Sequence, residues 1–207
     1  MSTIIVFMVQ VVGISLSGVM APGPITAATI VAGTRSRHAG GLIALGHALV
    51  EFPLVFGILL GMDRLLESET TKMIIGLAGG AFLLWMGGQM LCSLNKGSNN
   101  ITSYNSRNPF WIGVILSATN PYFLLWWATV GLALAKDARD LSMMVFVLFT
   151  IVHWLCDLVW LEVLSWTSSK GSKLVGEHNL RRILIICSIT LLFFGATFIY
   201  RAFYIKQ

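Results

Sequence analysis

The chain alternates between long apolar runs and short polar breaks. A helix needs roughly 20 apolar residues to cross a bilayer core of about 30 Å. Six runs meet that length: 3–33 with an interruption at Ala21–Pro24, then 40–61, 72–94, 110–135, 141–166 and 183–204. A stretch such as SMMVFVLFTIVHWLCDLVWLEVL lacks the two-residue alternation of a barrel strand and is far longer than one. An unpaired backbone group in lipid costs several kcal/mol, so all six runs are predicted to be helices. The expected fold is an all-α polytopic membrane protein with six transmembrane helices.

Proline breaks two of these runs. The first reads VMAPGPITAATIVAG and holds Pro22, Gly23 and Pro24; the fourth holds Asn120-Pro121. Proline lacks an amide donor and clashes with the carbonyl one turn back. In a membrane the groups it frees are tolerated where they line a cavity or pack on protein. The polar, turn-rich stretch NKGSNNITSYNSRN (95–108) divides the chain into 1–94 and 109–207, each with three helices. An odd number of crossings per half requires the second half to enter the membrane inverted. Other features recur in order: His47 and Glu51 in the second helix answer His153 and Asp157 in the fifth, and LLWMG (83–87) answers LLFFG (191–195). Inverted repeats with discontinuous helices at corresponding places point to a secondary transporter whose site lies near the midplane. Pro22, Gly23, Pro24, Asn120 and Pro121 are therefore the expected substrate-binding positions, and the two breaks are expected to face each other.

Composition agrees with a membrane location. Only 11% of residues are charged and 56% are hydrophobic, against about 25% charged in soluble domains; mean hydropathy is +0.80. The net charge of +5 comes from loops, with no basic stripe interleaved with aromatics, so nucleic acid is not an expected partner. The loops after helices 1, 3 and 5 carry eight basic residues (Arg35, Arg37, Lys96, Arg107, Lys170, Lys173, Arg181, Arg182) against six on the other side (Arg64, Lys72, Lys136, Arg139, Arg201, Lys206). The positive-inside rule then puts both termini outside, in a multi-pass protein of the cell (inner or plasma) membrane. No basic residue precedes the first run, and Pro22 makes a poor cleavage site, so that run reads as a retained helix. Cys92, Cys156 and Cys187 form no CxxC or Cys/His cluster and read as small buried hydrophobes.

Acids inside spans are expensive and are functional candidates by default. His47 and Glu51, four residues apart, share a helix face, as do His153 and Asp157. A carboxyl taken out of water next to an imidazole makes a pair that can pass a proton near neutral pH. His47, Glu51, His153 and Asp157 are thus the expected proton-coupling residues or the site of a substrate ammonium, and inversion suits the two pairs to opposite membrane faces. Bridging of helices by two polar pairs is the bland alternative. A metal centre is not expected, because no third or fourth ligand stands at useful spacing; no cofactor motif and no nucleophile–base set appear, so an enzyme is not expected. Glu162 lies about 140° around its helix from Asp157 and reads as structural. Gly76, Gly79, Gly80, Gly87 and Gly88 suit close helix approach. Trp126 and Trp127 follow the second break and suit either the cavity wall or aromatic packing.

The stretch APGPITAATIVAGTRSRHAGGLIALGHALVE resembles the first-helix signature of the lysine exporter/homoserine–threonine exporter (LysE/RhtB) translocators, in which Pro-Gly-Pro is followed by spaced glycines and an acid in helix 2. Here these are Pro22, Gly23, Pro24, Gly33, Gly41, Gly46 and Glu51. NPYFLLWW is similar to the family's second motif, and GLAGGAFLLWMGG fits its third helix; Tyr122 stands where lysine often follows Asn-Pro, and Val50 where glycine often precedes the acid. The resemblance implies export of amino acids or related small molecules, by proton exchange. A divalent-cation exporter of related architecture and a membrane assembly subunit are the alternatives, and homo-oligomerisation is left open.

Overall fold

A computed structural model describes residues 2–21, 23–62, 68–95, 108–171 and 177–204. All regular structure among them is helical: α1 (Ser2–Val19), α2 (Pro24–Gly33), α3 (Ala39–Gly57), α4 (Glu69–Asn95), α5 (Pro109–Ala118), α6 (Pro121–Trp126), α7 (Leu132–Leu141), α8 (Met143–Gly171) and α9 (Glu177–Tyr204). Wider π-helical turns follow α3 (Ile58–Met62) and join α6 to α7 (Trp127–Gly131). The expected linker lies almost wholly outside the described residues, as do Pro22, Arg64, Lys96, Arg107, Lys173 and Lys206.

Both proline breaks are present. α1 and α2 bend by 78° at Met20–Gly23, and α5 stops at Ala118 before Pro121 starts α6. Proline at a first helical position loses nothing, because that amide has no intrahelical acceptor. At the second break the Asn120 side chain caps the new helix by accepting from Tyr122 N at 3.1 Å. α3 also contains Pro53, and the π turn after it includes Gly61 at φ 103°, a left-handed conformation that a side chain disfavours.

Three described helices are by themselves long and apolar enough to cross a bilayer, and four if α1–α2 counts as one span. That count is of the described residues alone. The 110–135 run is cut by the break into short pieces and continues as α7 to Leu141, so the expected polar loop at Lys136–Asp140 is helical. In α9 the apolar stretch counted among the described residues is Ser188–Phe203, part of the apolar run 183–204. Large apolar side chains such as Ile5, Val9, Leu49, Phe56, Phe193 and Phe203 cover the outside. A surface of that kind fits lipid rather than water.

The interior is a packing of α3 and α8 against each other, with α1 and α2 on α8, α5 on α3, and the α4–α9 pair alongside. Two apolar clusters fill it, one around Trp127, Phe149, Val145 and Val11, the other around Ile43, Ala44, Leu116 and Leu161. Glycine sets the tightest crossings. A Cβ on Gly46 would fall 2.0 Å from the Phe110 carbonyl oxygen, and one on Gly113 would fall 2.1 Å from that of Ile43. The α4–α9 pair repeats the device with Gly80 and Gly195. Gly76 and Gly87 pack on α9 as expected, whereas Gly88 meets nothing within 4 Å. Cys156 is buried, but Cys92 is exposed on α4, contrary to expectation; an apolar thiol on a lipid-type surface needs no burial. The side chain of Cys187 lies outside those described.

Gly46→Ala and Gly113→Ala should each cost about 1–3 kcal/mol through forced separation of α3 from α5. Gly88→Ala should stay within about 0.5 kcal/mol of wild type. Thermal midpoints of the purified variants in one detergent check the ordering.

Candidate functional site

α3 and α8 each present a histidine and an acid one turn apart, on the faces that meet. The two sequence pairs consequently form one cluster. His47 Nε2 lies 3.5 Å from Glu51 Oε1 and 3.9 Å from Asp157 Oδ1; His153 Nε2 lies 3.1 Å from the same Glu51 oxygen and 3.7 Å from Asp157 Oδ2. Each imidazole touches both acids. The expectation of two separate pairs serving opposite faces is corrected by this geometry, because the faces that carry them pack directly on each other. Glu51 is 1% exposed, and the other three are also buried.

Neighbours fix the rings. His47 Nδ1 is 2.7 Å from Ser117 Oγ, whose own hydroxyl donates to the Gly113 carbonyl at 2.6 Å. A hydroxyl has one proton to give. Nδ1–H of His47 is therefore the donor to Ser117, and its Nε2 is turned toward the acids. His153 Nδ1 lies 2.8 Å from Ser15 Oγ. Each histidine is thus anchored by a serine from the first limb of the broken helix in the other half of the chain. Phe123 meets His47 edge-on at 5.1 Å, and Trp126 stacks flat on His153 at 4.7 Å. Trp127, the next residue, meets the His153 ring edge-on and donates from Nε1 to Glu51 Oε1 at 3.2 Å. A π turn begins at Trp127, directly after Trp126, a feature frequent at functional sites.

Two carboxylate oxygens of the cluster, Glu51 Oε2 and Asp157 Oδ2, are buried without a hydrogen-bond partner. An unmade bond to a buried carboxylate is costly, so these atoms mark where a proton or cation would sit. Glu51 and Asp157 are among the residues that line a cavity of about 90 Å³. That is space for a few waters or part of a small solute, far below the roughly 300–1,000 Å³ of drug-sized pockets.

The cavity also touches both proline breaks. Gly23 and Pro24 line it from the first and Asn120 from the second. Pro22 lies outside the described residues, and so does the side chain of Pro121. The breaks differ in one respect. Asn120 caps α6, whereas the N-cap of α2 is Gly23, which makes no side-chain cap. The amides of Ile25 and Thr26, two residues of the cavity lining, lie in the first turn of α2, where helical amides ordinarily lack intrahelical acceptors. A helix start of this kind favours an anion.

Other candidates have structural work. Glu162 accepts from Gly41 N at 2.8 Å and pairs with His38, which holds the start of α3 on α8. His47, Glu51 and Asp157 place one donor atom each within 4.8 Å of one another, so a third potential ligand that spacing along the chain did not offer is supplied by the α3–α8 contact. Ser15, Ser117 and Trp127 as partners of the cluster were missed at the level of sequence. A serine in an apolar helix ordinarily bonds its own backbone, so nothing local distinguishes these two.

The LysE type translocator family matches residues 16–202 of the chain. The chain is 29% identical over 205 residues to "Putative amino acid efflux protein YcgF" of Bacillus subtilis (strain 168), with 95% of each chain covered. No solved structure matches.

Ser117→Ala leaves the His47 Nδ1–H unpaired in a buried site and should cost about 1–3 kcal/mol. Ser17→Ala removes an exposed bond to the Ile14 carbonyl and should cost about 0.5 kcal/mol or less. Thermal unfolding of both variants against wild type gives the comparison.

Proposed function

The chain belongs to the LysE type translocator family, and from that premise we propose that it exports amino acids across the cell membrane in exchange for protons. The observation that carries the reading is one cavity lined both by two buried acids, Glu51 and Asp157, and by the first residues of α2. An amino-acid zwitterion needs both. Its ammonium goes to Glu51 and Asp157, and its carboxylate to the amides at the start of α2. The relative's efflux name supports the same substrate class.

The cluster is also the proton carrier. With two acids and two histidines in mutual contact, its charge runs from two negative to two positive as protons are added. A bound ammonium and a bound proton offset the same negative charge, so each weakens the binding of the other. That competition is what exchange requires. Alternating access then moves two inverted three-helix repeats, 1–94 and 109–207 with 95–108 as linker, about this fixed site. The crosswise His47–Ser117 and His153–Ser15 contacts, and the matching approach of α5 to α3 and of α1 to α8, support duplication. Both termini face outward from the cytoplasm in this reading, on the eight-to-six bias of basic residues. Export of a divalent cation is the second reading, favoured by the clustering of His47, Glu51 and Asp157.

Glu51→Gln and Asp157→Asn should each lower amino-acid flux at least about ten-fold at matched protein levels, with the protein still folded; wild-type flux in both would return the acids to a packing role. In proteoliposomes with an imposed pH gradient, wild-type flux should follow the gradient. His47→Ala and His153→Ala should shift its pH profile; a wild-type flux blind to the gradient would remove proton exchange.

A further inference from the structure

Beyond the cluster and the polar groups of Thr26, Asn120, Tyr122 and Trp126, the described cavity wall is apolar. Leu83 from α4, Tyr122 from α6, Leu161 from α8, and Leu191 and Phe194 from α9 all line it. Leu83, Leu161 and Leu191 are buried at 0–3% exposure, so the wall is fixed by the core behind it. Tyr122 is held by aromatic neighbours, with Phe194 at 5.4 Å and Phe198 stacked at 6.4 Å. The charged groups among the described lining residues are the four of the cluster. Donor atoms of His47, Glu51 and Asp157 lie within 4.8 Å of one another, so the acids form one cationic position and not two.

We infer that the exported amino acids carry uncharged, apolar side chains, with Leu83, Tyr122, Leu161, Leu191 and Phe194 as the side-chain pocket. This rests on the amino-acid reading above. The α-ammonium occupies the single cationic position, and the α-carboxylate occupies the start of α2. A second charge, the ε-ammonium of lysine or the side-chain carboxylate of glutamate, would then enter the apolar wall with no partner. An unpaired charge in such surroundings is strongly disfavoured, enough for roughly a hundred-fold discrimination. A leucine, methionine or phenylalanine side chain meets mostly carbon on the Leu83, Leu161, Leu191 and Phe194 side of the wall.

Counterflow tests this with the full chain in proteoliposomes preloaded with unlabelled leucine, methionine, phenylalanine, lysine or glutamate, reading uptake of the same labelled compound. Leucine, methionine or phenylalanine should exchange at least about ten-fold faster than lysine and glutamate. Lysine or glutamate exchanging as fast overturns the side-chain assignment and leaves amino-acid export standing; no exchange of any of the five overturns the amino-acid reading and this one with it. Tyr122→Ala enlarges the pocket and should raise the phenylalanine-to-leucine rate ratio several-fold, while Tyr122→Phe keeps the wild-type ratio. A ratio unchanged in Tyr122→Ala would remove Tyr122 from the pocket.

Discussion

Two carboxyl groups and two imidazoles stand in contact inside an apolar bundle, and a buried charge is tolerated when it is paired and hydrogen-bonded. Much of the surrounding architecture serves that constraint. Glycine at the α3–α5 crossing brings Ser117 within reach of His47, and the packing of α1 on α8 brings Ser15 to His153. The indole of Trp127 adds a donor to Glu51. What these partners leave unmet are one oxygen of Glu51 and one of Asp157, both residues of the lining of a small cavity. A site wholly satisfied by the protein would have no reason to bind anything.

The broken helices do a complementary task. A continuous helix satisfies its own backbone and offers nothing to a polar solute, whereas a helix that starts inside the bundle presents free amides. The two breaks are not equivalent. Asn120 closes the start of α6 with its own side chain, while glycine leaves the start of α2 open. One break is closed by a side chain, and the other begins on a glycine that has none.

Local chemistry was legible in the sequence, and its assembly was not. Pro22-Gly23-Pro24 and Asn120-Pro121 announce breaks because proline acts on its own turn of helix, and the structure interrupts the helices there. The pairing of His47 with Glu51 and of His153 with Asp157 is read from helical periodicity alone. Merging the pairs depends on which faces of α3 and α8 meet, and both helices are apolar on most sides, so the pattern does not select a face. Ser15 and Ser117 look like any serine in a membrane helix. The inward placement of both Trp126 and Trp127 goes with a π turn that no residue type signals. The fourth run extends further than its polarity suggests: Lys136, Asp137, Arg139 and Asp140 read as a loop, yet they lie on a strongly amphipathic helix that continues to Leu141.

If the cluster is the common site of proton and substrate ammonium, binding and deprotonation are a single event. The direct measurement is proton release when a transported amino acid such as leucine is added to the purified protein in weakly buffered detergent solution, followed with a pH indicator. The account predicts a proton released on binding in the wild type and none in Glu51→Gln, with affinity that weakens as pH falls. Saturable binding of the amino acid with no proton released at any pH between about 5 and 9 would contradict it.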